Sequence, residues 1–216
     1  MIWSLLFCII ILGVPAFAQD RMPEIPANQL TEAQRKAADE YTADRERVAK
    51  ELGSEIPKGV NGPFVALLRS PGLMLPVNAI RDYLESKSVL PPKLKEFAIL
   101  ITARQWTQQF VWDAHYPLAT KAGLSPDVAK AVAEGRRPGG MSDDEATIYE
   151  FCIELQHNQS VSDATYAAAL AKFGEQGIID MVGVNGFYTY LAMVINVAHT
   201  PLPKRSSAPT LAAFPR

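Results

Sequence analysis

Glu96 and His115 are the residues of this chain best placed to do acid–base chemistry. Glu96 abuts an apolar run, Phe97-Ala98-Ile99-Leu100-Ile101, and His115 follows nineteen positions later. A run of that kind belongs to a buried helix, where a carboxylate costs free energy unless a donor meets it. His115 is the natural partner. A shielded carboxylate–imidazole pair is a minimal proton-transfer device, because burial and mutual pairing tune both groups toward neutral pH. Arg104 lies eight residues beyond Glu96, about two helical turns, and is read as sharing its face. An Arg–Glu–His network that only locks two helices together fits the same residues. From the residues alone, both readings stand.

These side chains need helices to carry them. Pro91-Pro92 opens the helix of Glu96, which should end near Gln105. A second helix, about Gln108 to Ala122, carries His115 and stops at Gly123. Before them, Thr31-Glu32-Ala33-Gln34 is a capping-box pattern that starts a long polar helix to about Leu52. Gly53 and the stretch from Pro57 to Gly62 break the chain, and Ser70-Pro71 starts the next helix. Leu73, Val77, Ile80 and Leu84 repeat there at helical spacing and are expected to face inward. Ser125-Pro126 starts a short helix toward Glu134, and Ser142-Asp143-Asp144-Glu145 is a second capping box that leads a helix through about His157. Ser162 caps one more helix to Phe173, and a last apolar helix runs from Gly177 to about Ala198. No stretch alternates with period two between hairpin turns, so the fold class is all-α.

The ends differ from this middle. Residues 1–18 are uncharged and apolar and close on Ala16-Phe17-Ala18, the small-x-small signature of a secretory signal peptide. The segment lacks the usual Lys or Arg near Met1, yet it is short for a membrane span of roughly 20 residues. Cleavage before Gln19 is expected, giving a secreted or periplasmic protein with no stable membrane span. Residues 19–30 read as a polar, Pro-containing tether and 31–52 as a helix outside the main domain, together an N-terminal region of 19–59. Residues 204–216 read as a flexible C-terminal tail. The formal net charge of −2 is unchanged by cleavage, and no Lys/Arg cluster lies on a helix face, which argues against a nucleic-acid partner. Arg136-Arg137 falls in a Pro-Gly-Gly turn. Cys8 leaves with the signal, so Cys152 is the one thiol of the mature chain and is expected to be buried and inert.

The ordered series Glu96…Arg104…Trp112-x-x-His115…Ala119…Gly123 resembles the carboxymuconolactone decarboxylase family, of the same superfamily as alkylhydroperoxidase D. Asn61-Gly62-Pro63-Phe64 and Leu67-Leu68-Arg69-Ser70-Pro71 extend the likeness on one side. On the other it continues through Ser142-x-x-Glu145, Gly186-Phe187-Tyr188, Asn196 and Pro201-Leu202-Pro203, so that it covers roughly residues 60–203. The resemblance implies a single-domain, alkylhydroperoxidase D-like helical bundle that assembles as a homo-oligomer, often a trimer or hexamer. It also implies a small-molecule substrate and no metal or organic cofactor. In the peroxidase branch a Cys-x-x-Cys pair stands between the glutamate and the histidine. Its positions fall here on Gln108 and Val111, neither of which can form a thiolate or a disulfide. The decarboxylase branch keeps the histidine without the cysteines. The family's Glu-Tyr-Glu-Trp-like segment is here Gln109-Phe110-Val111-Trp112, so two carboxylates are lost and the substrate does not carry over.

The expectation is therefore a cofactor-free enzyme that decarboxylates or isomerises a small carboxylated or lactone substrate. Its catalytic residues are His115 and Glu96, and its substrate-binding residues are Arg104, Trp112, Gln108 and Tyr188. Trp112 and Tyr188 suit a core role as well. A peroxide-handling protein and a non-catalytic binding or assembly protein are the alternatives. His157 is expected as a surface cap at a helix end, and His199 as a cap or a pocket or subunit contact.

Overall fold

A computed structural model describes residues 20–53, 58–202 and 208–212. Residues 1–19, which include the segment expected to be a signal, and residues 54–57, 203–207 and 213–216 lie outside that description. Among the described residues the chain forms eight α-helices, one short 3-10 turn and no strand. The helices are α1 (Glu32–Leu52), α2 (Pro63–Leu67), α3 (Pro71–Ser86), α4 (Pro92–Gln105), α5 (Gln109–Lys121), α6 (Pro126–Ala133), α7 (Asp143–Asn158) and α8 (Asp163–Ala198).

The centre is α4. Every residue from Phe97 to Arg104 on it is buried, because α5, α6, α7 and α8 all pack around it. A helix surrounded in this way must be apolar on all sides, which is why its sequence reads as a run rather than a stripe. Only its first turns, with Lys93, Lys95 and Glu96, come toward the surface.

Local signals set most helix ends. Thr31 and Gln34 exchange bonds at 3.2 and 3.0 Å to start α1, and Ser142 and Glu145 do the same for α7. The two helices expected around residues 163–173 and 177–198 form one segment, α8, with its break at Gly174 (φ 65°, ψ 179°). The short α2 was not expected. Five residues led by Pro63 are too few for any periodicity to show.

Three other differences concern packing. The polar helix α1 packs on α3 and sends Ala37, Tyr41 and Val48, all at one helical stripe, into the core. On α3, Val77 and Leu84 face inward as expected, but Met74 takes the place expected of Leu73. Leu73 and Ile80 are about half exposed. The inward stripe of α3 is rotated by one position, because α1 covers the side that carries Met74 and Asn78. Finally, residues 20–30 and tail residues 208–212 are both tied down. Arg21 donates its backbone N–H to the carbonyl of Ala198 at 2.8 Å, and Arg69 donates to Pro23 O at 2.6 Å. Leu211 is buried and donates to Gln109 Oε1 at 2.9 Å, while Ala212 donates to Ala133 O at 3.2 Å.

α8 is long and apolar enough to cross a membrane by composition, but more than half of its most apolar stretch is buried against the other helices. It serves here as a core helix.

Candidate functional site

The chain turns back from α4 into α5 through Trp106, Thr107 and Gln108, and that reversal brings two distant residues together. Nδ1 of His115 lies 2.8 Å from Oε2 of Glu96. Both side chains are largely shielded, at 17% and 13% exposure. An ionised carboxylate only accepts hydrogen bonds, so Nδ1 carries the proton and Nε2 is left to act. Nε2 makes no hydrogen bond among the described residues. The ring then offers a lone pair when neutral and an N–H when protonated. That is what a general base that later returns its proton requires.

Tyr188 of α8 stands beside the pair. Its ring meets His115 edge-on, with centroids 4.9 Å apart. Burial pushes the phenol well above its ordinary pKa, the charges of Glu96 and Glu85 add to that, and Arg81 and Arg45 oppose it. The hydroxyl therefore stays a neutral donor at any physiological pH, and it makes no hydrogen bond among the described residues.

Behind Tyr188 lies a charge network that the sequence did not single out. Arg45 of α1 bonds Glu85 at 2.6 Å and Asp82 at 3.3 Å, both on α3. Arg81 lies over the rings of Phe64 and Tyr41, at 4.3 and 4.9 Å, and bonds the Tyr41 hydroxyl and Asn78. Burial raises the pKa of Asp82 against the pull of Arg81 and Arg45. Lys95, next to Glu96, donates to the carbonyls of Leu84 and Glu85 at 2.8 and 3.1 Å. Burial lowers its pKa, opposed by Glu96, Glu85 and Asp180. In sequence, Arg81 and Glu85 show only the i,i+4 spacing of an ordinary solvated helix face.

The other sequence candidates lie elsewhere. Arg104 sits about 12 Å further along α4, in a cleft with Tyr149, Ile153 and His157, and reaches Thr107 Oγ1 at 3.4 Å. Burial lowers its pKa. It does not converge on Glu96. Gly135 (φ 73°) passes so close that a Cβ there would lie 2.8 Å from Arg104 Nη2. Gln108 caps α5 by accepting from Phe110 N at 2.9 Å, and it donates to Asn196 on α8 at 2.7 Å. It also lines a cleft with Asn196 and His199. Trp112 is fully buried and stacks on Tyr116 at 6.2 Å, a core position. His157 bonds Gln105 at 2.8 Å and joins the ends of α7 and α4. His199 is the left-handed residue that ends α8 (φ 54°). Cys152 is buried and accepts from Asn185 Nδ2 at 3.2 Å, and burial pushes its thiol up to about 12.

No protein-family model matches this chain, and no curated protein matches it.

Proposed function

We propose that this protein is a secreted or periplasmic, cofactor-free enzyme that moves a proton on a small carboxylated or lactone substrate. The observation that carries this reading is the 2.8 Å contact between Glu96 and His115 with Nε2 left over. In the decarboxylating form, the bond to the substrate carboxylate breaks and carbon dioxide leaves. Its electron pair passes into an enolate, and the protonated His115 delivers a proton to the resulting carbon. Glu96 holds Nδ1 and stabilises the imidazolium, and the Tyr188 hydroxyl is the donor for the enolate oxygen. Isomerisation through an enolate uses the same three groups: neutral His115 takes a proton from the carbon beside the carbonyl, and the imidazolium returns it at another carbon. The resemblance to carboxymuconolactone decarboxylases supports this reading at Glu96 and His115. Arg104, expected to bind substrate, lies about 12 Å along α4 from Glu96 and takes no part in this reading.

Self-association belongs to the same proposal. Ile179 and Val182 are exposed on α8 and fall within about 60° of one another around it. Exposed apolar side chains of that kind suit a subunit contact.

The peroxide-handling alternative needs a thiolate. With Gln108 and Val111 at the paired positions and the Cys152 thiol pushed up to about 12, it has none near His115. The binding or assembly alternative gains from one observation: four clefts among the described residues are lined by neither Glu96 nor His115.

A thermal-shift screen against small carboxylated lactones and dienoic acids tests the proposal, with His115→Ala and Glu96→Gln alongside. A compound that stabilises the wild type but neither variant supports it, and carbon dioxide release from that compound then separates decarboxylation from isomerisation. If the variants bind every such compound as the wild type does, the pair is structural.

A further inference from the structure

We propose that the cleft between the N-terminal segment, α2 and the C-terminal half of α8 is a binding site for a free aliphatic carboxylate, separate from the Glu96–His115 pair. The cleft has a volume of about 360 Å³, inside the range of roughly 300–1,000 Å³ for small-molecule sites. Its walls are Met22, Leu67, Met193, Val194 and Val197. Unbranched and flexible methionines on two sides let such a wall close on an alkyl chain.

Two polar groups make the cleft more than an apolar dent. Among its described lining residues Arg69 alone is charged. The guanidinium is held in place from both sides, Nη1 donating to Val65 O at 3.1 Å and Nη2 to Pro23 O at 2.6 Å. A guanidinium has five N–H donors, so three remain for an anion. Beside it, Ser70 also lines the cleft. Ser70 precedes α3 at the position where a serine normally caps the helix, yet its side chain makes no capping bond. Its hydroxyl is uncommitted. A second cation, Arg21, donates to Val197 O at 3.4 Å on the same wall. The carboxylate of Asp20, on the same segment, accepts from Met22 N at 3.0 Å.

The pattern of an apolar wall with a pinned arginine and a free hydroxyl fits one molecule with an alkyl body and an anionic head. A second copy of this chain seated by an apolar helix face would bring no anion to Arg69 and no partner to the Ser70 hydroxyl, which is costly.

Isothermal titration of the purified protein with decanoate, below its micelle concentration, tests this. Decanol and decyltrimethylammonium serve as neutral and cationic probes of equal chain length. The expected result is saturable binding of one decanoate, tightest of the three. Arg69→Gln should weaken decanoate about tenfold, the effect of losing one charge-assisted hydrogen bond, and leave decanol unchanged. Ser70→Ala, which disturbs no backbone tie, should weaken decanoate without weakening decanol and covers the case that Arg69→Gln misfolds. Met193→Trp should fill the cleft and abolish binding of both. Equal binding of the anionic and cationic probes overturns the proposal, as does decanoate binding that survives Met193→Trp. A protein that binds no decanoate and loses a dimer on Met193→Trp, seen by sedimentation, overturns it in favour of a second copy.

Discussion

Glu96 and Arg104 are both charged, both largely buried and both on α4, yet they end in different surroundings. Glu96 meets His115 across α5, whereas Arg104 turns toward Gly135 and the end of α7. Eight residues place them about 80° apart around the helix and about 12 Å along it. That offset is enough for a different set of helices to surround each one. At the near end the neighbours are α3, α5 and α8, which bring a histidine, a tyrosine and a charge network. At the far end they are the turn after α6 and the end of α7, which bring a glycine, an aromatic ring and a histidine. A pattern on one helix shows which residues face inward, but the neighbouring helices decide what each of them does.

Mutations at the two ends should separate function from support. The largest effect is expected at the near end. Once a substrate is found, His115→Gln should lower its turnover by about 10²-fold or more, with a melting temperature close to that of the wild type. Steady-state kinetics beside a thermal melt reads both, and turnover that survives would break the comparison. At the far end Arg104→Gln should do the reverse, costing about 2 kcal/mol of stability with turnover retained. Urea unfolding and the same assay would check this. Gly135→Ala presses on Arg104 and forces a left-handed φ on alanine, so it should cost about 1–2 kcal/mol and lower the urea midpoint.

The smallest effect involves the first turn of α4, where Lys93 bonds Glu145 at 2.9 Å. Burial alone would raise the pKa of Glu145, but bonds from Lys93 and Ser142 outweigh it and hold it below its ordinary value. A carboxylate with a depressed folded pKa adds stability above its unfolded pKa of about 4.3, and that stability is lost as pH falls through the folded value. Glu145→Gln should therefore cost about 1 kcal/mol at pH 7, and the gap to the wild type should close at acid pH. Unfolding curves at neutral and at acid pH would show a constant gap if the pair contributes nothing electrostatic.

Much of the fold was legible because its signals are local. Thr31, Ser142 and Ser162 cap the helices they were expected to cap, and Pro71, Pro92 and Pro126 stand in their first turns. The break at Gly174 falls between the two helices read there. What was missed depends on partners. Met74 faces inward instead of Leu73 because of where α1 lies, and α1 itself carries only Ala37, Tyr41 and Val48 as a thin apolar stripe in a charged helix. Arg45, Arg81 and Glu85 carried no signal that distinguished them from a solvated surface.

The sequence by itself determined the helical class and most helix ends, and it singled out Glu96 and His115 as an acid and a histidine that could pair. Their 2.8 Å contact was decided by the turn after α4, which folds α5 back along it. Only the tertiary structure decided that Tyr188 stands beside them with a free hydroxyl, that Gln108 and Trp112 are taken up by capping and packing, and that Arg104 belongs to the other end of the helix. Capping and helix spacing are properties of neighbouring residues along the chain. The fate of a long, charged side chain depends on which helices pack beside it, and that is settled by the burial of the whole core.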